Sequence, residues 1–397
     1  MNASAWRLTL AAAALMALVA GSRTAFGLFL SPLNTASGIG LARLSFALAL
    51  GQLAIGFAQP LLGMLSDRFG AARIIVVGTV LLALSTALPA AWPLAAVVLP
   101  ALVASNAAGS AVASNGLLLG PLNRAVPAAH AGMAVALVGA GASAGQLLLG
   151  PATQWAISQR GWAWALAATA ALSLLALPLA LPFRRTPGHA LAPCSQPVAD
   201  VLRDARLWRV AASFGVCGFH VGFLSVHMPG VIERCGLPPT LAGPWIAVAG
   251  AANIAGSLAT GMALQRHDAA RLLAGLHLLR AAGVAALLLL PSTPVVMLGF
   301  AALMGASFIA TLPPTSQLIA RQHGVQRLGA LLGVVMLVHQ LGSFVGIGFG
   351  GWSAAATGAD DWSWRLDIVL ALAAAALVWP NTTVACRMGG TMARASA

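Results

Sequence analysis

The chain has 397 residues, of which 59% are hydrophobic and only 7% charged, with a mean hydropathy of +0.90. An ordinary soluble domain carries about 25% charged residues, so this composition excludes a water-soluble enzyme or binding module and places the chain in a bilayer. The formal charge of +13 comes from 21 arginines without a single lysine, and their placement assigns the excess to membrane topology rather than to nucleic acid.

Apolar runs of about 20 residues, each long enough to cross ~30 Å of hydrocarbon as helix, recur along the whole length. The predicted spans are 8–32, 44–66, 73–92, 94–122, 131–156, 162–183, 208–232, 241–264, 271–291, 295–319, 328–352 and 366–384. The first is too long for a signal-peptide core, since it continues through Gly27 to Leu33. Arg23 lies in its middle, and an ionisable residue at that depth costs at least ~2.5–3.5 kcal/mol unless it faces protein or water. The second span carries Gln52 and Gln59, and the stretch GMLSDRFGAAR (63–73) joins it to the third. Asn106 and Asn115 lie in the fourth span, and Gln146 follows GAGASAG (139–145) in the fifth, a small-residue face suited to close helix packing.

The segment 184–207 is rich in Pro, Ser and charge and reads as a polar linker. The expected organisation is an N-terminal six-helix bundle (1–183), a cytoplasmic linker (184–207) and a C-terminal six-helix bundle (208–397). The seventh span holds His220 and His227, two helical turns apart and so on one face. The eighth holds Asn253, and the ninth His277 and Arg280. In the tenth, Pro313-Pro314 precede Thr315 and free backbone carbonyls, which predicts a break facing protein or a water cavity. The eleventh carries His339 and Gln340.

With both termini cytoplasmic, fifteen arginines fall on the inner side against Arg43, Arg160, Arg234 and Arg365 outside, as the positive-inside rule requires. The eight acids sort to the ends: Asp67, Asp200, Asp204 and Asp268 inside, and Glu233, Asp360, Asp361 and Asp367 on or near the outside. None is expected deep in a span. On that reading the histidines are the candidates for a coupled proton, and Arg23, lacking a carboxylate at its depth, awaits an anionic substrate. The four cysteines show no CxxC spacing, so no disulfide framework, metal site or other cofactor is expected.

The two halves echo each other. GMLSDRFGAAR at 63–73 matches GMALQRHDAAR at 261–271, and GWAWAL at 161–166 matches DWSWRL at 361–366. A duplicated six-helix unit is the parallel-repeat plan of one class of transporter, with its substrate site at mid-membrane between the halves.

The pattern Gly63-x-x-x-Asp67-Arg68-x-Gly70-x-x-Arg73 resembles the cytoplasmic loop signature of the major facilitator superfamily, with Ala71-Ala72 where a basic pair is usual. The resemblance implies an all-α membrane fold of 12 transmembrane helices in two pseudo-symmetric bundles. It implies too that Gly63, Asp67, Arg68, Gly70 and Arg73 form a gating latch bracing the second span against the eleventh. GSRTAFGLFLSPL (21–33), FAQPLLG (57–63), TLPPTSQL (311–318) and HQLGSFVG (339–346) resemble the bacterial monocarboxylate-porter and oxalate/formate-antiporter-like branch. That likeness implies a monomeric secondary transporter in the inner membrane, moving a mono- or dicarboxylate as proton symport or anion exchange.

The expected substrate contacts are Arg23, Arg280, His339, Gln340, Asn115, Gln146, Asn253 and Thr315, with His220, His227 and His339 for proton coupling. Efflux of amphipathic drugs is the rival, and copper import through Met228, His227, Met336 and His339 a more distant one. No GxxxxGK[ST] stretch occurs to use ATP, and no acid is expected at a depth where a membrane enzyme would need one.

Overall fold

The computed structural model describes residues 3–185, 201–324 and 327–379, apart from a few side chains, those at Gly63, Asp67 and Asn115 among them. Most of the linker expected at 184–207 therefore lies outside the described residues. The described chain is helical throughout. Among the described residues eleven spans are long and apolar enough to cross a membrane: Ala3–Ser37, Leu41–Gln59, Ala71–Ala91, Ala95–Leu122, Met133–Arg160, Trp162–Arg184, Ala205–Arg234, Pro239–Ala263, Ala269–Leu289, Pro294–His323 and Leu328–Thr357. A twelfth helix, Asp361–Val378, begins five residues earlier than its apolar run predicts, because Asp360 occupies the N-cap position and Asp361 the first turn, where the helix dipole favours negative charge.

Breaks interrupt several spans, the sixth at Leu174–Leu175 and three others where the sequence supplies a reason or a task. The first passes through a 3-10 turn at Phe26–Phe29. The fourth stops at Val112 and restarts at Asn115, with Ser114 capping the new helix through the amide of Leu117 (3.4 Å). The tenth breaks at Ile309–Thr311, and Pro313-Pro314 sit in the first turn of the restarted helix Leu312–His323, where a missing N–H costs no hydrogen bond. The expected break is there, one turn ahead of the prolines.

Glycine sets the tightest helix contacts and repeats them in both halves. Gly141 and Gly145 of the fifth span lie against the carbonyls of Ala13 and Ala17 in the first. Gly342 and Gly346 of the eleventh, 201 positions on, lie against those of Gly215 and Phe219 in the seventh. A Cβ at any of the four would overlap backbone, so the sequence echo corresponds to the same helix pairing built twice.

The two halves meet at the end of the membrane opposite the start of the first span. There the second span packs on the eleventh through Ser45 and Gly351, and the fifth on the eighth through Gly150 with Ile246 and Gly243 with Gln154. Gly27 of the first span touches Ser225 and Val226 of the seventh. In the opposite halves of these helices Gly139, Gly261, Gly329 and Gly333 face open space, and Phe57, Met64, Leu258 and Met262 are more than half exposed. The close contacts between the bundles thus gather toward one end, opposite the end that bears most of the arginines.

Candidate substrate and coupling sites

Arg23 stands near the end of the straight part of the first span, just before the 3-10 turn. Its residue is exposed in part and lines a small cavity among the first, third, fourth and sixth spans. Ser22, Thr86, Ser105, Asn106, Thr169 and Ser173 give that cavity polar walls. Ser105, Thr169 and Ser173 spend their protons on their own helix carbonyls (3.0, 2.9 and 2.6 Å), which leaves their oxygens as acceptors. Among the described residues Arg23 forms no ion pair and no hydrogen bond. The cavity belongs to the N-terminal half, whereas the duplicated architecture had pointed to the seam between halves.

The C-terminal half contains what the sequence had seemed to lack, a carboxylate deep in a span. Asp367 is fully buried two turns into the twelfth helix, which corrects its expected place near the outer surface. Its Oδ1 lies 3.1 Å from Nε2 of His220, also fully buried, whose Nδ1 meets the carbonyl of Val216 at 2.7 Å. Arg280 completes the cluster from the ninth span. Its Nε donates to Ser307 Oγ at 3.0 Å, and its second amino group reaches the carbonyls of Ser307 and Phe308 beside the Phe308 ring. His277 bonds Ser213 at 2.9 Å. Oδ1 and Oδ2 of Asp367, Nη1 of Arg280 and Nδ1 of His277 nonetheless have no aligned hydrogen bond. Buried polar atoms rarely stay unpartnered without a functional reason or water. So many in one place mark a spot able to accept water or a proton.

Arg280, expected as a substrate contact, is fully buried and held by the tenth span, away from the Arg23 cavity.

Other expected residues fall on the seam between halves. Gln146 accepts a hydrogen bond from Asn253 (3.3 Å), tying the fifth span to the eighth, while Oδ1 of Asn253 receives the amide of Ile309 at the break in the tenth (3.0 Å). Gln340 is buried with its Cβ against Gly56 of the second span. These three bridge helices rather than line the Arg23 cavity. Thr315 is buried and bonds back to Thr311 (2.7 Å), which satisfies it locally. His227 is buried, with Nε2 on the carbonyl of Ile347 (2.9 Å), a helix-packing contact between the seventh and eleventh spans. His339 is half-buried, stacks on Phe214 (4.9 Å between centroids) and lies 3.4 Å from Gln340 Oε1.

The Asn115 side chain lies outside the described residues, as do those of Gly63 and Asp67. Around the latter two, Gly70 adopts φ +86°, a backbone that favours glycine and lets the second helix turn directly into the third. Arg68 stacks over Phe69 (5.2 Å), and Arg68 and Arg73 are both exposed. No three His, Cys, Asp or Glu side chains among the described residues come together to hold a metal ion.

Two six-helix bundles, each with the same first-to-fifth helix pairing, with a polar cavity in one and a buried ionic cluster in the other, define a membrane carrier of the two-bundle class. The sequence model of the Major Facilitator Superfamily matches residues 12–347, and the chain belongs to that superfamily of transporters as a multi-pass integral membrane protein. It is 26% identical over 236 residues to an uncharacterized MFS-type transporter, YcxA, of Bacillus subtilis (strain 168), a match covering 56% of this chain and 57% of that protein. The chain thus spans little more than half the length of this curated relative.

Among solved structures, a bacterial homolog of the human lysosomal transporter Spinster is similar in its inward-facing occupied form at 15% identity and TM-score 0.76, covering 96% of this chain and 97% of that one. A D-xylose–proton symporter is similar at 18% identity and TM-score 0.71, covering 94% and 97%. At these identities the likeness is one of fold.

Proposed function

We propose that the protein is a secondary active transporter that moves a small organic anion, a mono- or dicarboxylate, across the bacterial inner membrane by alternating access, with both termini in the cytoplasm. The observation that carries this reading is Arg23, an arginine within a span that lines a partly polar cavity and has no ion pair among the described residues. Neutral hydroxyls beside such a fork leave its charge uncompensated, and a substrate carboxylate supplies the bidentate partner. The pocket has about 30 Å³, room for a water or two. The carboxylate therefore meets the fork there while the rest of the substrate occupies wider space.

The buried Asp367–His220 pair supports a proton as the coupled ion. Asp367 faces His220 on the seventh span, with Arg280 acting on both from the ninth and on His277 beside it. A proton arriving on the carboxylate would change the charge of the cluster by one unit. The monocarboxylate-porter likeness favours this reading over drug efflux, for which Arg23 would be dispensable. Gly63, Asp67, Arg68, Gly70 and Arg73 serve as the latch that closes the arginine-rich end.

The test is a thermal-shift scan of the purified protein with small carboxylates, amphipathic cations and reduced copper, because a ligand that binds only the folded state raises its stability by mass action. Stabilisation by a carboxylate, lost in Arg23→Ala, is expected. Stabilisation by cations or copper alone would overturn the anion reading.

A further inference from the structure

Arg43 raises a question that transport does not answer. Four arginines lie at the end where the bundles meet, against the general bias, and three have protein partners. Arg234 makes a two-pronged pair with Asp360 (2.8 Å for each hydrogen bond), Arg160 stacks over Trp164 (5.7 Å), and Arg365 over Trp362 (5.5 Å). Arg43 is exposed and, among the described residues, has no such partner.

Arg43 sits at the mouth of a groove of about 470 Å³ between the second and fourth spans, whose other walls are apolar, chiefly Phe46, Leu50, Leu99 and Val103. It is the third residue of the helix Leu41–Phe69 and so stands at one end of its span, and Leu50 lies two turns, about 10 Å, further along it. A cation at the interface end with a greasy trough below it matches the two ends of one molecule class.

We propose that this groove binds a phospholipid, with its phosphate on Arg43 and part of one acyl chain along Phe46, Leu50, Leu99 and Val103. A net anionic headgroup binds best, since it adds no cation to compete with the guanidinium. The site borders the seam between the halves: Phe46 packs edge-on against Phe344 of the eleventh span (centroids 6.0 Å apart), next to the Ser45–Gly351 contact. A lipid seated there braces that end and favours this conformation over one in which the second and eleventh spans part. The inference is independent of the substrate reading.

The experiment is native mass spectrometry of the full chain in detergent, titrated with phosphatidylglycerol or phosphatidylcholine. Expected are a retained phospholipid adduct, tighter for phosphatidylglycerol, and affinity about fivefold weaker in Arg43→Gln. Val103→Trp, which fills the trough and leaves the cation, should also weaken retention, so the two ends are tested separately in variants whose folding is checked by unchanged thermal unfolding. Equal retention by wild type and both variants, or a groove covered by a second copy and seen as a dimer without lipid, would overturn the proposal.

Discussion

Replacing Asp367 by asparagine keeps the side chain's shape and removes, from a fully buried site beside His220, a charge that burial opposes and the field of Arg280 favours. Removing one member of a buried charged set costs ~3–5 kcal/mol when the partners are in contact. Here no Arg280–Asp367 ion pair forms, so the guanidinium acts from a greater distance, and ~4 kcal/mol, the figure for 4 Å at an effective dielectric constant of about 20, is an upper bound. A loss of ~1–3 kcal/mol follows, or roughly 2–12 °C in Tm at ~2–4 °C per kcal/mol. Arg280→Met should cost a similar amount, but in the double variant the buried charges leave together. Tryptophan fluorescence during thermal unfolding supplies the assay. The double variant should be more stable than the sum of the single losses by at least ~1 kcal/mol. Additivity within ~0.5 kcal/mol would show that Asp367 and Arg280 do not share one electrostatic site.

Asp67→Asn is expected to abolish transport in reconstituted vesicles while leaving expression and folding intact; normal uptake would remove Asp67 from the latch. Asn253→Ala breaks the bridge to Gln146 and strands the Ile309 amide at the break in the tenth span, and should cost ~1–3 kcal/mol in thermal unfolding. A cost under ~0.5 kcal/mol would mean that another group satisfies that amide. Asp360 lies outside the spans, and burial pushes its carboxyl above the ordinary carboxylate range although Arg234 pulls the other way. A raised folded-state value means the folded protein takes up the proton first and gains stability as pH falls through it. The Tm of wild type should therefore improve relative to Asp360→Asn as pH drops from about 7 toward about 4. The reverse slope would show that the ion pair outweighs desolvation.

The spans were legible because twenty apolar residues in a row have few alternatives, and the tenth-span break because paired prolines cannot continue a helix. The duplicated half was legible too, and the glycine contacts of Gly141, Gly145, Gly342 and Gly346 give it a structural form. The twelfth helix was read too late because apolarity alone ignores what Asp360 and Asp361 do at a helix start. That shift hid Asp367. Its signal was present, since Ser363, Trp364, Asp367, Ala371 and Ala374 recur at helical spacing and are all buried. Gln146 and Asn253 were singled out as polar residues inside spans, but their partnership depends on how two bundles dock, which no local pattern encodes. Arg280 looked like Arg23 in sequence. Only the packing of the tenth span around it separates a fully buried arginine from one exposed in part.

Arg23 carries the central claim, and its most direct test is uptake into vesicles reconstituted with wild type or Arg23→Lys, using the carboxylate that best stabilises the purified protein. A lysine keeps the charge but cannot offer the planar fork. The account predicts saturable uptake by wild type and, for the variant, an apparent affinity at least about tenfold weaker, equivalent to ~1.4 kcal/mol. Unchanged affinity in Arg23→Lys would contradict it.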